Sequence, residues 1–251
     1  MVVSSGPCPR FLLLSALVTA AAGAGTPLPA YRWEMTGPGG GGHYSLAAVS
    51  ADGGRFLVST DMGSSLVNRP GTRESRLVPF RQFTAVAYHP KQPEPVLASD
   101  RFHGLYRSTN GGTDWTRVSG PWEVFDRGRW DGSWPPPFLG PAVLRFSPTA
   151  PDTAIAVFRN YRLQRSRQAA FVSRDAGRTW QPLLNPVPPH LGTVIDAVVS
   201  GQEPEAVLLA TDTGFYAYRP GDPEPEQRHN WNDRTPRQFD CGRTGDTLIC
   251  Y

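Results

Sequence analysis

SRDAGRTW, at residues 173–180, follows the spacing S-x-D-x-G-x-T-W, and STNGGTDW, at residues 108–115, repeats it with Asn and Asp at the third and seventh positions. Serine and aspartate or asparagine side chains hydrogen-bond readily to the backbone of their own turn. The glycine permits a positive φ angle, and the tryptophan that follows can begin a strand and bury a large ring between two sheets. Both segments are predicted to be structural hairpin turns, formed by Ser108, Asn110, Gly112, Trp115, Ser173, Asp175, Gly177, Thr179 and Trp180.

The sequence around these turns repeats one plan, in which an apolar strand and a polar turn precede a second apolar strand and a third, often aromatic one. The second strand ends near an aspartate, as in FLVSTD, VLASD and VLLATD, so Asp61, Asp100 and Asp212 are predicted to occupy equivalent turns. The repeat returns at intervals of roughly 40 to 60 residues, which is typical of propeller blades. We therefore predict an all-β propeller of four to five blades, at residues 42–78, 83–118, 142–183 and 194–218, with a fifth beginning at Phe239.

Closure of the propeller leaves two alternatives. Open sheet edges between blades cost stability and promote aggregation, so a propeller has to close. The chain is either a small propeller completed by its N-terminal strand or a fragment of a six- or seven-bladed one. Its end at Tyr251, inside the fifth predicted blade, favours the fragment.

Composition excludes several classes of protein. Glycine and proline each occur 26 times in 251 residues, which argues against a helical bundle, a coiled coil and a polytopic membrane protein. The formal net charge is +3, and the basic residues are spread along the chain among 22 acidic ones, so the sequence lacks a basic stripe for nucleic acid. Its five histidines lack the spacing of a zinc site, and it contains no phosphate- or dinucleotide-binding loop. We predict neither a metal nor a cofactor.

A secretory signal peptide is predicted at residues 1–24, because a single positive charge, Arg10, precedes the uncharged run FLLLSALVTAAAGA. The run is shorter than the roughly 20 residues that span a membrane, and the small residues at 22–24 suit a signal peptidase. The alternative is a retained membrane anchor. Cleavage would leave residues 25–251 as a secreted or periplasmic domain without a membrane span.

Two cysteines remain after that cleavage, and an exported chain can form disulfides. They flank the segment CGRTGDTLIC, and a hairpin loop over Thr244–Thr247 would set Cys241 opposite Cys250 on paired strands. The predicted bridge is therefore Cys241–Cys250, and the alternative is a pair of inert buried thiols.

The turn pattern resembles that of the BNR, or Asp-box, β-propellers. In that family the motif closes a hairpin on the outer side of a blade, which implies an architectural role for its residues here. Sialidases share the motif but also carry an F-R-I-P segment, to which Phe158-Arg159-Asn160-Tyr161 is the nearest approach in this sequence. Sortilin-type receptor ectodomains and photosystem assembly factors use such repeats without hydrolysis. The motif therefore implies the fold and does not by itself imply an activity.

The N-terminal part is loosely similar to the xyloglucan-active glycoside hydrolases built from two seven-bladed propellers. The similarity rests on Tyr31-Arg32-Trp33, the glycine run at 39–42 and Ser59-Thr60-Asp61-Met62-Gly63. In that family the aspartate of the first T-D-x-G segment is the general base of an inverting mechanism, which implies this role for Asp61. Inversion also needs a carboxylic acid about 6.5–9.5 Å away, and the family takes it from its second propeller. The repetition of aspartate in other blades favours a turn residue instead.

One insertion, WEVFDRGRWDGSW at 122–134, departs from the repeats and precedes three prolines. Aromatic faces can stack on sugar rings while neighbouring polar groups bind the hydroxyls. We predict a glycan platform made of Trp122, Trp130, Trp134 and Asp131. The alternative is that these tryptophans pack onto the tops of the blades.

These expectations describe an exported Asp-box β-propeller that binds or processes carbohydrate. An enzymatic activity would be that of a glucan-active, inverting glycoside hydrolase. The alternative is a non-catalytic propeller that serves as a protein-interaction or assembly module. The expected partner is accordingly a polysaccharide or oligosaccharide, or a protein, and not a nucleic acid.

Overall fold

The computed structural model describes residues 44–60, 64–68, 71–72, 74–78, 82–100, 103–122, 140–159, 168–200, 205–231, 241–244 and 247–250. They all belong to one compact unit, residues 42–251. The predicted signal peptide at 1–24 lies outside the described residues and stays a prediction.

Sixteen strands form four antiparallel sheets, each made of four strands that are consecutive in the chain. We name these sheets blades 1 to 4. Blade 1 consists of β1 (Tyr44–Val49), β2 (Phe56–Thr60), β3 (Ser65–Asn68) and β4 (Ser75–Val78). Blade 2 consists of β5 (Phe83–Tyr88), β6 (Val96–Asp100), β7 (Gly104–Ser108) and β8 (Thr116–Arg117). Blade 3 consists of β9 (Val143–Phe146), β10 (Ala154–Phe158), β11 (Ala169–Ser173) and β12 (Gln181–Leu184). Blade 4 consists of β13 (Val194–Val199), β14 (Val207–Thr211), β15 (Gly214–Tyr218) and β16 (Glu226–Asn230).

Two further elements complete the described part of the chain. A short 3-10 helix, Pro189–Leu191, precedes blade 4, and the hairpin of β17 (Cys241–Thr244) and β18 (Thr247–Cys250) follows it. The backbone register of the hairpin pairs Cys241 with Cys250 and Thr244 with Thr247. The two cysteines are thus opposite each other on paired strands, as the predicted bridge requires, and the bridge itself stays a prediction.

The blades are arranged radially, with the first strand of each innermost. β1 lies against β5, β5 against β9 and β9 against β13. The second strands β6 and β10 are buried along their whole length, whereas the fourth strands β8 and β16 are exposed along theirs. The prediction of an all-β propeller is confirmed.

The core lies between the blades. Because side chains alternate along each strand, a central strand contributes to the core on both of its sides. In β10, Ala154, Ala156 and Phe158 pack toward blade 2. The alternate residues Ile155 and Val157 pack toward blade 4. Both faces of the strand are therefore covered, which explains why these central strands are apolar without interruption.

Blade boundaries match the predicted ones closely, with one omission. The sequence predicted that the fourth blade ends at Tyr218, yet the structure adds β16. All five of its residues, EQRHN, are exposed. A fourth strand at the periphery needs no apolar side chains, so it left no hydrophobic pattern to detect.

The two predicted turns connect the third and fourth strands of blades 2 and 3. In the first, the Ser108 hydroxyl accepts the Gly112 N–H at 2.8 Å, and the Asn110 side chain accepts the Asp114 N–H at 2.8 Å. The second turn repeats this with Ser173, Asp175 and the N–H groups of Gly177 and Thr179. Both indoles then donate back to the glycine carbonyl, Trp115 at 2.8 Å and Trp180 at 3.2 Å. The side chains thus close each turn on itself.

Hydrogen bonding also keeps the second turn charged. Burial of Asp175 opposes ionisation, but hydrogen bonds from Thr179, Ser173 and the Arg178 N–H outweigh it and hold the pKa of Asp175 below its usual value. The carboxylate accepts from the Thr179 hydroxyl at 2.6 Å. Since hydrogen bonds to an ionised acceptor are the strong ones, the full S-x-D-x-G-x-T-W turn is the better secured of the two.

Each turn glycine lies against the preceding blade. Gly177 has a φ of +80°, and a Cβ added there would overlap the side chain of Leu97 in blade 2. Gly221, in the turn between β15 and β16, has a φ of +105° with no atom within 4 Å of an added Cβ. Comparing substitutions at Gly177 and Gly221 therefore separates the cost of backbone strain from the cost of a clash with the neighbouring blade.

We expect Gly177→Ala to lower the free energy of unfolding by more than about 2 kcal/mol, because backbone strain of about 1–2 kcal/mol adds to the clash with Leu97. Gly221→Ala, with strain alone, should cost about 1 kcal/mol. Chemical denaturation of both variants measures the difference. Equal losses would contradict tight packing of the turn on blade 2.

A polar residue follows the first strand of every blade, on the edge opposite the second-strand ends. These residues are Ser50, His89, Ser147 and Ser200. The backbone N–H of each donates across the turn, at 2.7–3.1 Å, to the carbonyl of the residue before the second strand.

His89 is only 2% exposed and lies edge-on to Phe146 of blade 3. Its Nδ1 accepts the Lys91 N–H. Burial lowers the pKa of His89, and the nearby Asp152 carboxylate opposes this only in part.

Stability should therefore fall with acid because of His89. Between its ordinary pKa near 6.5 and the lower folded value, the unfolded chain binds a proton that the folded chain does not. The contribution is complete above about pH 6.5 and is lost as the pH falls through the folded value. We expect His89→Asn to reduce the pH dependence of unfolding between pH 7 and pH 5, by up to about 1.4 kcal/mol per pH unit. An unaltered slope in His89→Asn would show that His89 is not the titrating group.

Candidate functional site

One edge of the propeller carries Asp100, His103 and Gly140. Because neighbouring strands are antiparallel, the ends of the second strands lie at the same edge of each blade as the starts of the first strands. We name this edge, defined by the ends of β2, β6, β10 and β14, the second-strand rim. Connections between blades also reach it, since the fourth strands end there.

Bonds between blades hold the rim together on the side of blades 3 and 4. Arg159, directly after β10, donates its Nε to the Val194 carbonyl at 3.0 Å. Gln168 donates to the Gly192 carbonyl at 2.7 Å and accepts the Val194 N–H at 2.8 Å. Desolvation lowers the pKa of Arg159, against the attraction of Asp212 and Asp196. Arg159 therefore joins two blades.

A repeated β-bulge marks the start of the first strand at the rim. The ladders of β1, β5 and β13 each skip one residue, at Ser45, Thr84 and Ile195. A bulge bends the strand and re-aims its side chains. In blade 2 the bulged residue lies with its hydroxyl 3.1 Å from that of Ser99.

Asp100 and His103 form a hydrogen-bonded pair at the rim. Asp100 is fully buried at the end of β6, and its Oδ1 accepts the His103 N–H at 3.0 Å and lies 2.8 Å from the ring Nδ1. The His103 side chain is 50% exposed. A carboxylate on Nδ1 orients an imidazole ring and selects its tautomer.

The sequence did not lead us to predict a role for His103, and it led us to treat Asp100 as equivalent to Asp61 and Asp212. The ladder pairs Phe83 with Asp100, and it pairs the first residues of β1 and β13 with Thr60 and Thr211. Asp100 is thus equivalent to those two threonines, so it lies one position before Asp61 and Asp212. One position turns a strand side chain to the other face, and the prediction of three equivalent aspartates is wrong. The spacing D-x-x-H across a tight turn was the available signal for His103.

Asp212 has a structural role of its own. Its Oδ1 accepts the Thr193 N–H at 2.7 Å, and its backbone N–H donates to the Thr193 carbonyl at 3.0 Å. These bonds tie the start of β13 to the turn after β14. Asp61, at the equivalent position of blade 1, lies outside the described residues, so its predicted role as a general base is untested.

A bidentate ion pair occupies the first strands of blades 3 and 4. Arg145 in β9 donates its Nε to Asp196 Oδ1 at 2.8 Å, and its Nη2 lies 2.6 Å from Oδ2. Two parallel bonds between a guanidinium and a carboxylate give a strong, directional contact. The described carboxylates at and near the rim therefore all accept hydrogen bonds from neighbouring groups. They are those of Asp100, Asp196 and Asp212.

Trp122 belongs to the core and not to an exposed platform. It is 3% exposed, and its ring stacks on Phe158 at 4.9 Å and meets Phe171 and Trp180 edge-on. For this residue the alternative of packing onto the blades describes the structure, because neighbouring rings cover the indole that a sugar would need. Trp130, Asp131 and Trp134 lie outside the described residues, and their role stays a prediction.

The connection that carries those three residues returns to the rim at Gly140. A Cβ added at Gly140 would overlap the Ser99 hydroxyl and the Asp100 carbonyl. The second end of the connection thus lies directly on the turn that holds Asp100 and His103.

Within the described ranges, no group of three histidine, cysteine, aspartate or glutamate residues is placed to hold a metal ion. The same ranges contain no helix that is long and apolar enough to cross a membrane.

Comparison with known proteins identifies the fold. No family model matches the chain, and no curated protein does. Among solved structures, an ancestral GH74 enzyme is similar at 18% identity with a TM-score of 0.51, over 79% of this chain and 25% of that chain. The chain has the fold of a β-propeller. At this identity the likeness shows the fold alone, in agreement with the radial blades.

Two structures of YCF48 are also similar. YCF48 from Cyanidioschyzon merolae is 16% identical with a TM-score of 0.48, over 79% of this chain and 60% of that one. YCF48 bound to D1 peptide is 13% identical with a TM-score of 0.46, over 82% and 59%. The propeller described here spans between a quarter and three fifths of these structures.

We expect Trp122→Ala to lower the free energy of unfolding by about 3–5 kcal/mol, the usual cost of truncating a buried aromatic residue. Trp122→Phe keeps a ring against Phe158 and should cost less than half as much. Thermal and chemical denaturation test this. A loss below about 1 kcal/mol for Trp122→Ala would be inconsistent with its place in the core.

Proposed function

We propose that this β-propeller binds carbohydrate at the second-strand rim. The observation that carries the proposal is the contact of Gly140 with Ser99 and Asp100. It anchors the connection between blades 2 and 3 beside the Asp100–His103 pair. We infer that Trp130, Asp131 and Trp134 belong to the same binding surface.

The chemistry of these groups suits a sugar. Indole rings offer flat apolar faces to the C–H groups of a pyranose, and an oriented imidazole and a carboxylate offer hydrogen bonds to its hydroxyls. An uncharged glucan is compatible with these groups, since Arg159 and Arg145 are already engaged with the backbone and with Asp196.

Binding is better supported than hydrolysis. An inverting hydrolase needs two carboxyl groups that face each other across a water and a substrate. Asp100 is buried against His103, and Asp212 holds the Thr193 N–H. A hydrolytic activity would therefore depend on Asp61 and on an acid that the described rim does not supply.

The proposal includes export. Residues 1–24 would direct the chain out of the cytoplasm, and residues 25–251 would meet glycans in the periplasm or outside the cell. The Asp-box architecture of the two turns is part of the same proposal, because Ser173, Asp175 and Gly177 have the geometry that a hairpin staple requires.

Removal of the aromatic platform tests the proposal. We expect Trp130→Ala and Trp134→Ala each to weaken binding of xyloglucan oligosaccharides and cellohexaose at least tenfold in isothermal titration, since each removes a stacking face. Phe56→Ala is the matched control, because it removes an exposed ring at the opposite edge of blade 1. Unchanged affinity in both tryptophan variants would refute a platform.

The same preparations separate binding from catalysis. We expect no new reducing ends after prolonged incubation with xyloglucan. If reducing ends do appear and Asp61→Asn abolishes them, the protein is a hydrolase and the proposal of binding alone is wrong.

A non-catalytic interaction module is the second candidate. One observation favours it, namely the cluster of exposed apolar side chains on blade 1, where Val49 is 62%, Leu77 52% and Phe56 40% exposed.

A further inference from the structure

One face of the blade 1 sheet is exposed along its margins and half-buried at its centre. Directly paired residues lie on the same side of a sheet, and the ladder joins Ala47 to Val58, Val58 to Leu66 and Leu66 to Leu77. Alternation along the strands adds four more residues to this side. We name it the open face of blade 1, formed by Ala47, Val49, Phe56, Val58, Leu66, Asn68, Ser75 and Leu77.

The same positions are covered in the other blades. Val49 corresponds to Tyr88, Phe146 and Val199, each of which packs on the preceding blade. Leu66 corresponds to Phe171 in blade 3 and Tyr216 in blade 4, which are 0% and 6% exposed. The open face is thus built like an interface between blades, and none of the four described blades packs on it.

The open face also extends further outward than an ordinary contact between blades. Leu77 lies on the fourth strand, and the residues that pair at this position in blades 2, 3 and 4 are Arg117, Pro182 and Gln227. Blade 1 therefore has a leucine where its neighbours have a charged, a cyclic and an amide side chain. None of the four described blades packs against that leucine, which is 52% exposed.

Two properties point to a second copy as the partner. The eight positions of the open face carry no charged side chain, so two such faces meet without repulsion. The exposed large hydrophobic residues of the described chain, Val49, Phe56 and Leu77, all lie on it. An apolar surface of matching size is thus offered by the same face of another molecule.

We propose that two copies of the protein associate through the open faces of their first blades, packed about a two-fold axis. Two-fold dimers are the commonest assemblies of identical chains. Four strands of about five residues give a face of about 19 Å by about 17 Å, or about 320 Å² per copy in projection. The two faces together cover about 640 Å² in projection, which is below the usual size of stable interfaces, so the dimer is weak and reversible, with a dissociation constant on the order of tens of micromolar.

Charge placed on Leu77 tests the interface. Sedimentation velocity of the full chain between about 1 and 200 µM should show a monomer that becomes a dimer as the concentration rises. Leu77→Glu and Leu77→Arg should each weaken association at least tenfold, because like charges would face each other. Thr116→Glu and Thr116→Arg, on the exposed fourth strand of blade 2, are matched controls and should dimerise as the parent does.

Mixing distinguishes a two-fold contact from other arrangements. Equimolar Leu77→Glu and Leu77→Arg should recover the dimer, since each open face then meets one of opposite charge. A parent chain that stays monomeric up to 200 µM overturns the proposal. So does a dimer that the Leu77 variants leave intact, or one that the mixture fails to restore. Glycan titration of these variants is an independent readout, because the rim lies at a different edge of the molecule.

Discussion

Burial of the second strand on both of its faces is the constraint on which this propeller depends. Ile155 and Val157 pack toward one neighbour, and Ala154, Ala156 and Phe158 pack toward the other, so blade 3 is stable only between two blades. Because side chains alternate strictly along a strand, each blade has one face for the preceding blade and one for the next. Radial order follows from this division, and it leaves blade 1 with an apolar face that no described residue covers.

The hydrogen-bonded turns at 108–115 and 173–180 serve that packing. Their serine, asparagine and aspartate side chains close the backbone locally, and their glycines lie against the preceding blade. The turns therefore secure the outer half of a blade, where the fourth strand contributes little burial. The proposed binding site lies at the opposite edge, where second strands end and bulged first strands begin. There Arg159 joins blades 3 and 4, Asp212 ties the start of β13 to the turn after β14, and Asp100 orients the half-exposed ring of His103.

The sequence predicted the fold well, because its signals are local. Apolar runs gave blades 1 to 3 to within two residues at each end, and the S-x-D-x-G-x-T-W spacing located the turns between third and fourth strands. Prediction failed where the signal was absent or misread. The strand EQRHN carries no apolar pattern, and Asp100 resembles Asp61 and Asp212 in sequence while lying one position earlier in its ladder. Register depends on pairing between strands, which composition does not report.

The amino-acid sequence by itself determined that strands form, where they turn, and that Cys241 lies opposite Cys250 in the backbone register of a hairpin, since each of these follows from residues close together in the chain. Tertiary structure alone decided that Trp122 is buried against Phe158, that Asp100 orients His103, and that Val49, Phe56 and Leu77 form one exposed face. The physical reason is the same in all three cases. A side chain becomes part of a core, a site or a surface according to what neighbouring blades place against it, and those neighbours are distant in sequence.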